Sequence, residues 1–302
     1  MSRVHTNAAG RVTEVVYWDE ESVERAQRAK AVILCANGAE TPRLLLMSES
    51  ALFSDGLANT SGFVGQNLMF NGHSSVTGLF DAPVNAWKSV PTTRVVHDFY
   101  ELDPNLGFYG GGGIDGRHPT RGVPLGFGLV SGQVFDGPSW GVGYKNNLAY
   151  EFSHVAAFNG HTTSLPQGSN NVTLDPTYKD KFGRPAIRCT YMDHEDDLAT
   201  MRWFLNKSTE LMEAAGAVKI AATYPETGQE GSSHLLGTCR MGDDPNTSVI
   251  DSNNRSHDVP NLFMCDGSTL VTSGRGQPTM TIMALAFRAA EMINNAARRN
   301  EI

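Results

Sequence analysis

Apolar residues in this chain come in short bursts rather than one sustained period. Arg11–Trp18 (RVTEVVYW) partly alternates apolar with polar, and Ala31–Cys35 (AVILC) is continuously apolar. The alternating stretch reads as a strand, and the continuous one as a short strand buried on both faces. Asp19–Gln27, between them, reads as a charged turn region. Ala36-Asn37-Gly38-Ala39 then breaks the run, and Glu40-Thr41-Pro42 opens a predicted helix carrying Leu44, Leu45, Leu46 and Met47. Pro42 suits a first turn, where a missing N–H has no intrahelical partner to lose. Strand, glycine turn and helix make an α/β crossover, and such sheets place ligands at the turn after the strand.

From about 55 to 170 the pattern changes. Glycine, asparagine, serine and aromatics mix without a helical period, and Ser74–Phe80 and Leu125–Phe135 predict strands of a mostly antiparallel sheet. Asn171–Leu174 and Ala186–Tyr191 predict two more strands around a turn-rich loop, Asp175–Pro185. Met201, Phe204, Leu205, Leu211 and Met212 give Asp196–Ala215 a helical pattern, with Gly216 as its C′ residue. Near the end, Asn261–Cys265 predicts a strand that runs into Asp266-Gly267-Ser268, and a glycine-bearing loop, Ser273–Gln277, follows. The last helix spans Pro278 to about Arg298, with Ile282, Ala286, Phe287, Ala290 and Ile293 at helical spacing. Pro278 is expected as its first helical residue and Gln277 as its cap. The fold class expected is α/β (α+β).

Composition narrows the class. The 302 residues carry a formal net charge of −8, with 40% hydrophobic and 19% charged residues. That is a globular profile rather than a disordered one, and its acidic balance speaks against nucleic acid or an anionic lipid surface as partner. There is no run of 18 apolar residues, so no membrane span is expected, and the start lacks the apolar stretch of a signal peptide. The four cysteines, Cys35, Cys189, Cys239 and Cys265, show neither a disulfide framework nor zinc spacing, and no metal site is expected.

Several constellations could carry chemistry. Gly111-x-Gly113-x-x-Gly116 has the letters of a dinucleotide fingerprint, but no helical pattern follows it, so it reads as a glycine-rich loop. In Ser233–Gly242 (SHLLGTCRMG), His234 is a candidate general base, because imidazole titrates near operating pH. A histidine with a satisfied hydrogen bond and no chemistry is the plainer alternative. The junction Gln277-Pro278-Thr279-Met280 offers a helix N-terminus suited to an anion, or merely a well-capped helix. His194-Glu195-Asp196-Asp197 lacks metal-ligand spacing and reads as a helix cap with acids in the first turn. Ser232, Ser233 and Ser268 lack the elbow of a serine hydrolase.

Taken in order, the motifs SHLLGTCRMG, Asp244-Pro245, Ser248–Asp251, Arg255–Leu262, Asp266-Gly267-Ser268 and Gln277–Ile282 (QPTMTI) resemble the C-terminal region of the glucose–methanol–choline (GMC) oxidoreductases. Ala31–Leu46, Gly65–Leu68 with His73, and Val172–Pro185 are similar to earlier parts of that family, so the resemblance runs from about residue 10 to 297. It implies an FAD-dependent oxidation of a CH–OH group in an alcohol or sugar, with hydride passing to flavin N5 and His234 as base. It implies cofactor contacts at Ala36, Asn37, Gly38, Asp266, Gly267, Pro278, Thr279 and Met280. It also implies a substrate contact at Gln277, where the family usually has His or Asn. His257 is taken as structural, and Arg275 as a solvated loop arginine.

The family's opening strand, G-x-G-x-x-G loop and helix are not matched, so the chain is expected to begin inside the FAD domain. The expected division is a partial FAD-binding domain at 1–72, a substrate-binding domain at 73–228, and a return to the FAD domain at 229–302. A competing expectation is a non-catalytic fragment or subunit that needs a separate N-terminal half or an electron acceptor. Lyase chemistry, which the family also contains, is a third. Targeting signals would lie before Met1, so location stays open.

Overall fold

The N-terminal strands β1 (Arg3–Thr6), β2 (Val12–Trp18) and β3 (Glu24–Arg28) form an antiparallel meander. The molecule is a computed structural model that describes residues 1–88, 90, 92, 94–135, 137–224 and 233–302. The charged region expected as a turn is a turn only at its start. There Asp19 Oδ1 accepts the amides of Glu21 and Val23, and the chain then returns as β3. All five β3 residues are exposed, so no alternation marks this edge strand.

Next come β4 (Val32–Leu34) and α1 (Asn37–Leu46). Val32 and Leu34 are buried, but Ile33 is 48% exposed, so β4 has one open face rather than the two covered faces its apolar run predicts. Helix α1 starts three residues before the expected Glu40, which puts Pro42 inside it. Proline there cannot donate to the Gly38 carbonyl four residues back. The Thr238 hydroxyl donates to that carbonyl instead, at 2.7 Å.

The middle of the chain gives β5 (Gly72–Leu79), β6 (Val95–Val96), β7 (Gly112–Arg117), α2 (Pro124–Val134), α3 (Gly141–His154) and β8 (Val155–Thr162). Leu125–Phe135 is therefore helical, not a strand. Leu125, Phe127 and Leu129 alternate with Gly126 and Gly128 as in a strand, no 3.6-residue apolar stripe opposes that reading, and Pro124 at the first turn is the one local helix signal. The G-x-G-x-x-G stretch is strand β7 rather than a loop. Its glycines admit close neighbours: a Cβ on Gly112 would lie 2.1 Å from the His161 carbonyl oxygen and 3.1 Å from the Phe204 ring.

Then come β9 (Asn171–Lys179), β10 (Pro185–Thr190), α4 (Glu195–Ala214), β11 (Lys219–Thr223), β12 (Leu262–Met264) and α5 (Thr279–Arg298). β9 extends through much of the expected loop before turning back into antiparallel β10. The five-stranded antiparallel sheet has the order β11-β5-β8-β7-β6. Helix α4 covers one face of it, burying Met201, Phe204, Leu205 and Met212. His194 caps α4 in a reciprocal capping box with Asp197, as the acidic pattern predicts. β12 pairs in parallel with β4, and their side chains join the largest core cluster with Leu44, Leu45 and Val259. Pro278 is the N-cap of α5 rather than its first helical residue. The boundary expected at 228/229, and Ser232, lie outside the described residues.

Candidate active site

Three stretches distant in sequence meet around Leu235. The backbone there pairs with the 67–71 segment, Leu236 and Met69 exchanging amide-to-carbonyl bonds of 3.1 and 3.0 Å. On its other side the Gly237 amide donates to the Gly267 carbonyl and the Cys239 amide to that of Ser268. Two glycines make room. A Cβ on Gly38 would sit 2.3 Å from the Leu235 carbonyl oxygen, and one on Gly267 would sit 2.7 Å from it. Real Cβ atoms do not tolerate such distances, so the α1 start and the Gly267 turn can close on this backbone only as glycines.

Asp266 ties these pieces together. One carboxylate oxygen accepts the Asn37 amide at 3.1 Å and the Thr41 hydroxyl at 2.6 Å, and the other accepts the Ser268 amide at 2.8 Å. Ala36, Asn37, Gly38, Asp266 and Gly267 therefore form one cluster. Ile282 on the first turn of α5 comes within 3.5 Å of where a Gly267 Cβ would be, which adds the start of α5 to it. Thr279 and Met280 are exposed there, and the helix has no side-chain N-cap bond.

His234 emerges beside this cluster. Its Nδ1 lies 2.8 Å from Asn71 Oδ1. The Asn71 amide nitrogen donates to the carbonyls of Thr162 (3.1 Å) and Ser273 (3.3 Å), so its oxygen is left as the acceptor. His234 Nδ1 must then carry the hydrogen, and Nε2 is the ring's acceptor nitrogen. Burial lowers the His234 pKa first, and His161 and Arg121 add charge repulsion. The ring is thus held in its basic form around neutral pH.

Two further imidazoles stand next to it. His73 and His161 are cross-strand partners on β5 and β8, with ring centres 4.6 Å apart, and their centres lie 5.6 and 6.2 Å from that of His234. His73 is pushed down to about 3, by burial first and then by His161, His234 and Arg117. His161 Nε2 lies 2.9 Å from Asp115 Oδ2, and Gln277 Nε2 lies 3.4 Å from the same ring nitrogen. The structure therefore places Gln277 and His234 against the same pair of histidines. Asn71, Asp115, Arg117 and His161 are absent from the residues singled out by sequence. Their one signal is spacing: 115 and 117 fall on one face of β7, and register, which sequence does not show, sets that face against His161.

Among the described residues no group of three His, Cys, Asp or Glu side chains could hold a metal ion. No helix among them is long and apolar enough to cross a membrane. His257 Nε2 bonds to Ser248 Oγ and to the Gly242 carbonyl, a structural bracing role. Arg275 donates to the Tyr100 carbonyl and lies over that ring. A cleft of about 380 Å³ opens beside Gln277, lined also by His97, Tyr100, Ser273 and Arg275. A larger hollow near Asn7, Arg11 and Asn261 contains none of these groups.

Fold and site together define an α/β protein with a mostly antiparallel second sheet, in which the backbone at Leu235 and the first turn of a long helix both pack against the Gly267 turn. Residues 166–286 match the family model of the GMC oxidoreductases. A 2-methyl-1,2-propanediol dehydrogenase of Mycolicibacterium austroafricanum is 35% identical over 97% of this chain and 53% of its own length. The fructose dehydrogenase large subunit of Gluconobacter japonicus is 28% identical, over 97% and 52% respectively. A formate oxidase structure superposes with a TM-score of 0.60 at 16% identity, covering 100% of this chain and 60% of that one, a likeness of fold. The chain belongs to the GMC oxidoreductase family, and it spans about half the length of the curated relatives it matches.

Proposed function

We propose that this chain supplies the base and the substrate-facing part of an FAD-dependent oxidoreductase acting on a CH–OH group of an alcohol or sugar. The observation that carries the reading is the fixed tautomer of His234, whose Nδ1–H is committed to Asn71. With the hydrogen on Nδ1, Nε2 is the ring nitrogen whose chemistry is to accept the hydroxyl proton of a substrate as its C–H bond breaks. Lowering of the His234 pKa favours the form that accepts a proton.

The residues present fit one end of the cofactor. The α5 start lacks a side-chain cap, so its first-turn N–H groups at Thr279, Met280 and Thr281 can face an anionic or electron-rich ring. The Asn37–Gly38 and Asp266–Gly267 turns would hold the adjoining part of the molecule. When bound, FAD supplies the acceptor for the hydride that leaves the substrate carbon. Gln277 has no basic form and would serve as a hydrogen-bonding partner of the substrate. The relatives, a diol dehydrogenase and a fructose dehydrogenase subunit, support a hydroxylated small molecule as substrate.

The test is His234→Ala in flavin-loaded protein completed by its N-terminal half. Substrate-dependent bleaching of the flavin band is expected to slow by about 100-fold or more, the usual contribution of a general base. A wild-type rate would remove His234 from this role.

A second reading is favoured by α5 itself. Of its 20 residues only Ala289 and Ala296 are buried, while Met283 and Phe287 are exposed. Together with the open side of β4, this apolar face suits a separately encoded N-terminal half. Mixing the two polypeptides should then restore flavin binding, and failure of this chain to bind any such half would remove the subunit reading.

A further inference from the structure

We infer that Ser273, on the loop that leads into α5, is a positioning residue for His234: it holds Asn71 in the one amide orientation that puts the imidazole hydrogen on Nδ1. The role of His234 as base rests on the proposed function; the coupling of Ser273 to the His234 tautomer does not.

Asn71 reaches three parts of the fold at once. Its side-chain oxygen meets His234 Nδ1, and its nitrogen meets the carbonyls of Thr162, at the end of β8, and of Ser273. A carbonyl can only accept, so the Asn71 group set between these two is the NH₂. Turning the amide over would press Asn71 Oδ1 against both carbonyl oxygens. It would also present an N–H to His234 Nδ1, which would then have to accept, with the hydrogen moved to Nε2. The orientation of Asn71 and the tautomer of His234 are thus a single choice, and the two carbonyls make it.

The two carbonyls are held in different ways. Thr162 is paired with Gly72 on one side and Gly112 on the other, so the sheet fixes it. Ser273 lies in none of the helices or strands, and the chain turns sharply after it at Gly274, where φ is +73 rounded down to 72°. Its hydroxyl supplies the anchor. Ser273 Oγ accepts the Ser164 amide at 2.6 Å and donates to the Gly274 carbonyl at 3.2 Å. Ser164 is tied in turn to helix α4. Its hydroxyl donates to Asp197 Oδ2 at 3.2 Å, and the next amide, Leu165, donates to Asp197 Oδ1 at 3.0 Å. Asp197 is the capping-box residue of α4. Asn71, Ser164, Asp197 and Ser273 are each 2% exposed or less, so water cannot replace a lost partner without entering the core. Ser273→Ala strips the buried Ser164 amide of its acceptor and releases the loop. Thr162 alone is then left to choose between the two orientations of Asn71.

The tautomer is measured without flavin or substrate. On the 302-residue chain labelled with ¹⁵N-histidine, long-range imidazole correlations should show His234 as Nδ1–H in the wild type and as a mixture in Ser273→Ala. Ser248→Ala is the control: it removes another buried hydroxyl, one that bonds the Asp244 carbonyl and His257. It should lower stability in denaturant and leave the His234 tautomer alone. The same result for Ser273→Ala would make Ser273 merely structural and overturn the proposal. Should that variant fail to fold, the wild type still decides. Both Asn71 side-chain amide hydrogens should exchange with water much more slowly than those of exposed Asn7, and equal rates would overturn the proposal. In flavin-loaded, completed enzyme, Ser273→Ala should slow flavin reduction by about three- to tenfold, the worth of one hydrogen bond. In an Asn71→Ala background it should slow it no further, and an added loss there would contradict action through Asn71. A shifted tautomer with an unchanged rate would count against His234 as base and uphold the coupling.

Discussion

The tautomer of His234 depends on a side chain 163 positions away, since Asn71 Oδ1 accepts the Nδ1 hydrogen at 2.8 Å. Asn71→Ala removes that acceptor while leaving the imidazole present. The reductive rate in completed enzyme is expected to fall by about tenfold, and the His234 tautomer to become mixed in imidazole ¹⁵N spectra. The glycines flanking this backbone act by close approach. Gly38→Ala puts a methyl group 2.3 Å from the Leu235 carbonyl oxygen. A loss of about 1–3 kcal/mol in denaturant unfolding is expected, the usual cost of overpacking; unchanged stability would mean the two segments separate readily. At this scale His234, Gln277, Gly38 and Asp266 were legible because each lies in a compact local motif. His161 and Asp115 were not, because they are 46 positions apart and meet only through strand register.

Helix α1 shows how an element can break a local rule and satisfy it elsewhere. Pro42 read as a first-turn residue, yet α1 begins at Asn37, and the carbonyl Pro42 cannot serve is taken by Thr238. Thr238→Val should leave the Gly38 carbonyl unsatisfied and cost about 1–3 kcal/mol in chemical denaturation. Adding Pro42→Ala supplies the missing N–H and should recover most of that loss. A double variant no more stable than Thr238→Val would refute the account. Helix α4, with its acidic capping box, and helix α5, with its apolar positions at helical spacing, were legible in the sequence to within a residue or so. Helices α2 and α3 were not. Neither has a side-chain cap, and their glycine-rich sequences give no amphipathic stripe, so packing rather than local preference makes them helical. Exposed β3 was lost for the opposite reason: it buries nothing, so no periodicity is imposed on it.

For the whole molecule, the histidine cluster sets a pH dependence of stability. The unfolded chain binds a proton at His73 near the ordinary 6.5, whereas the folded chain resists until about 3. The unfolded state therefore holds more protons between these values, and stability rises with pH across that window and levels off above it. His73→Asn should flatten this slope in denaturant titrations between pH 4 and 7, and an unaltered slope would place its origin elsewhere. The antiparallel sheet and the crossover β4–α1 were legible in outline. The open apolar side of α5 was not, because an amphipathic pattern cannot say which stripe is covered. The central claim is that His234 accepts the substrate proton from a basic form stabilised by burial. Its most direct test is the pH profile of flavin reduction by substrate in completed, flavin-loaded enzyme. The account predicts an acidic limb with a midpoint below 6.5 that vanishes, along with most of the rate, in His234→Ala. The same limb persisting at full rate in that variant would contradict it.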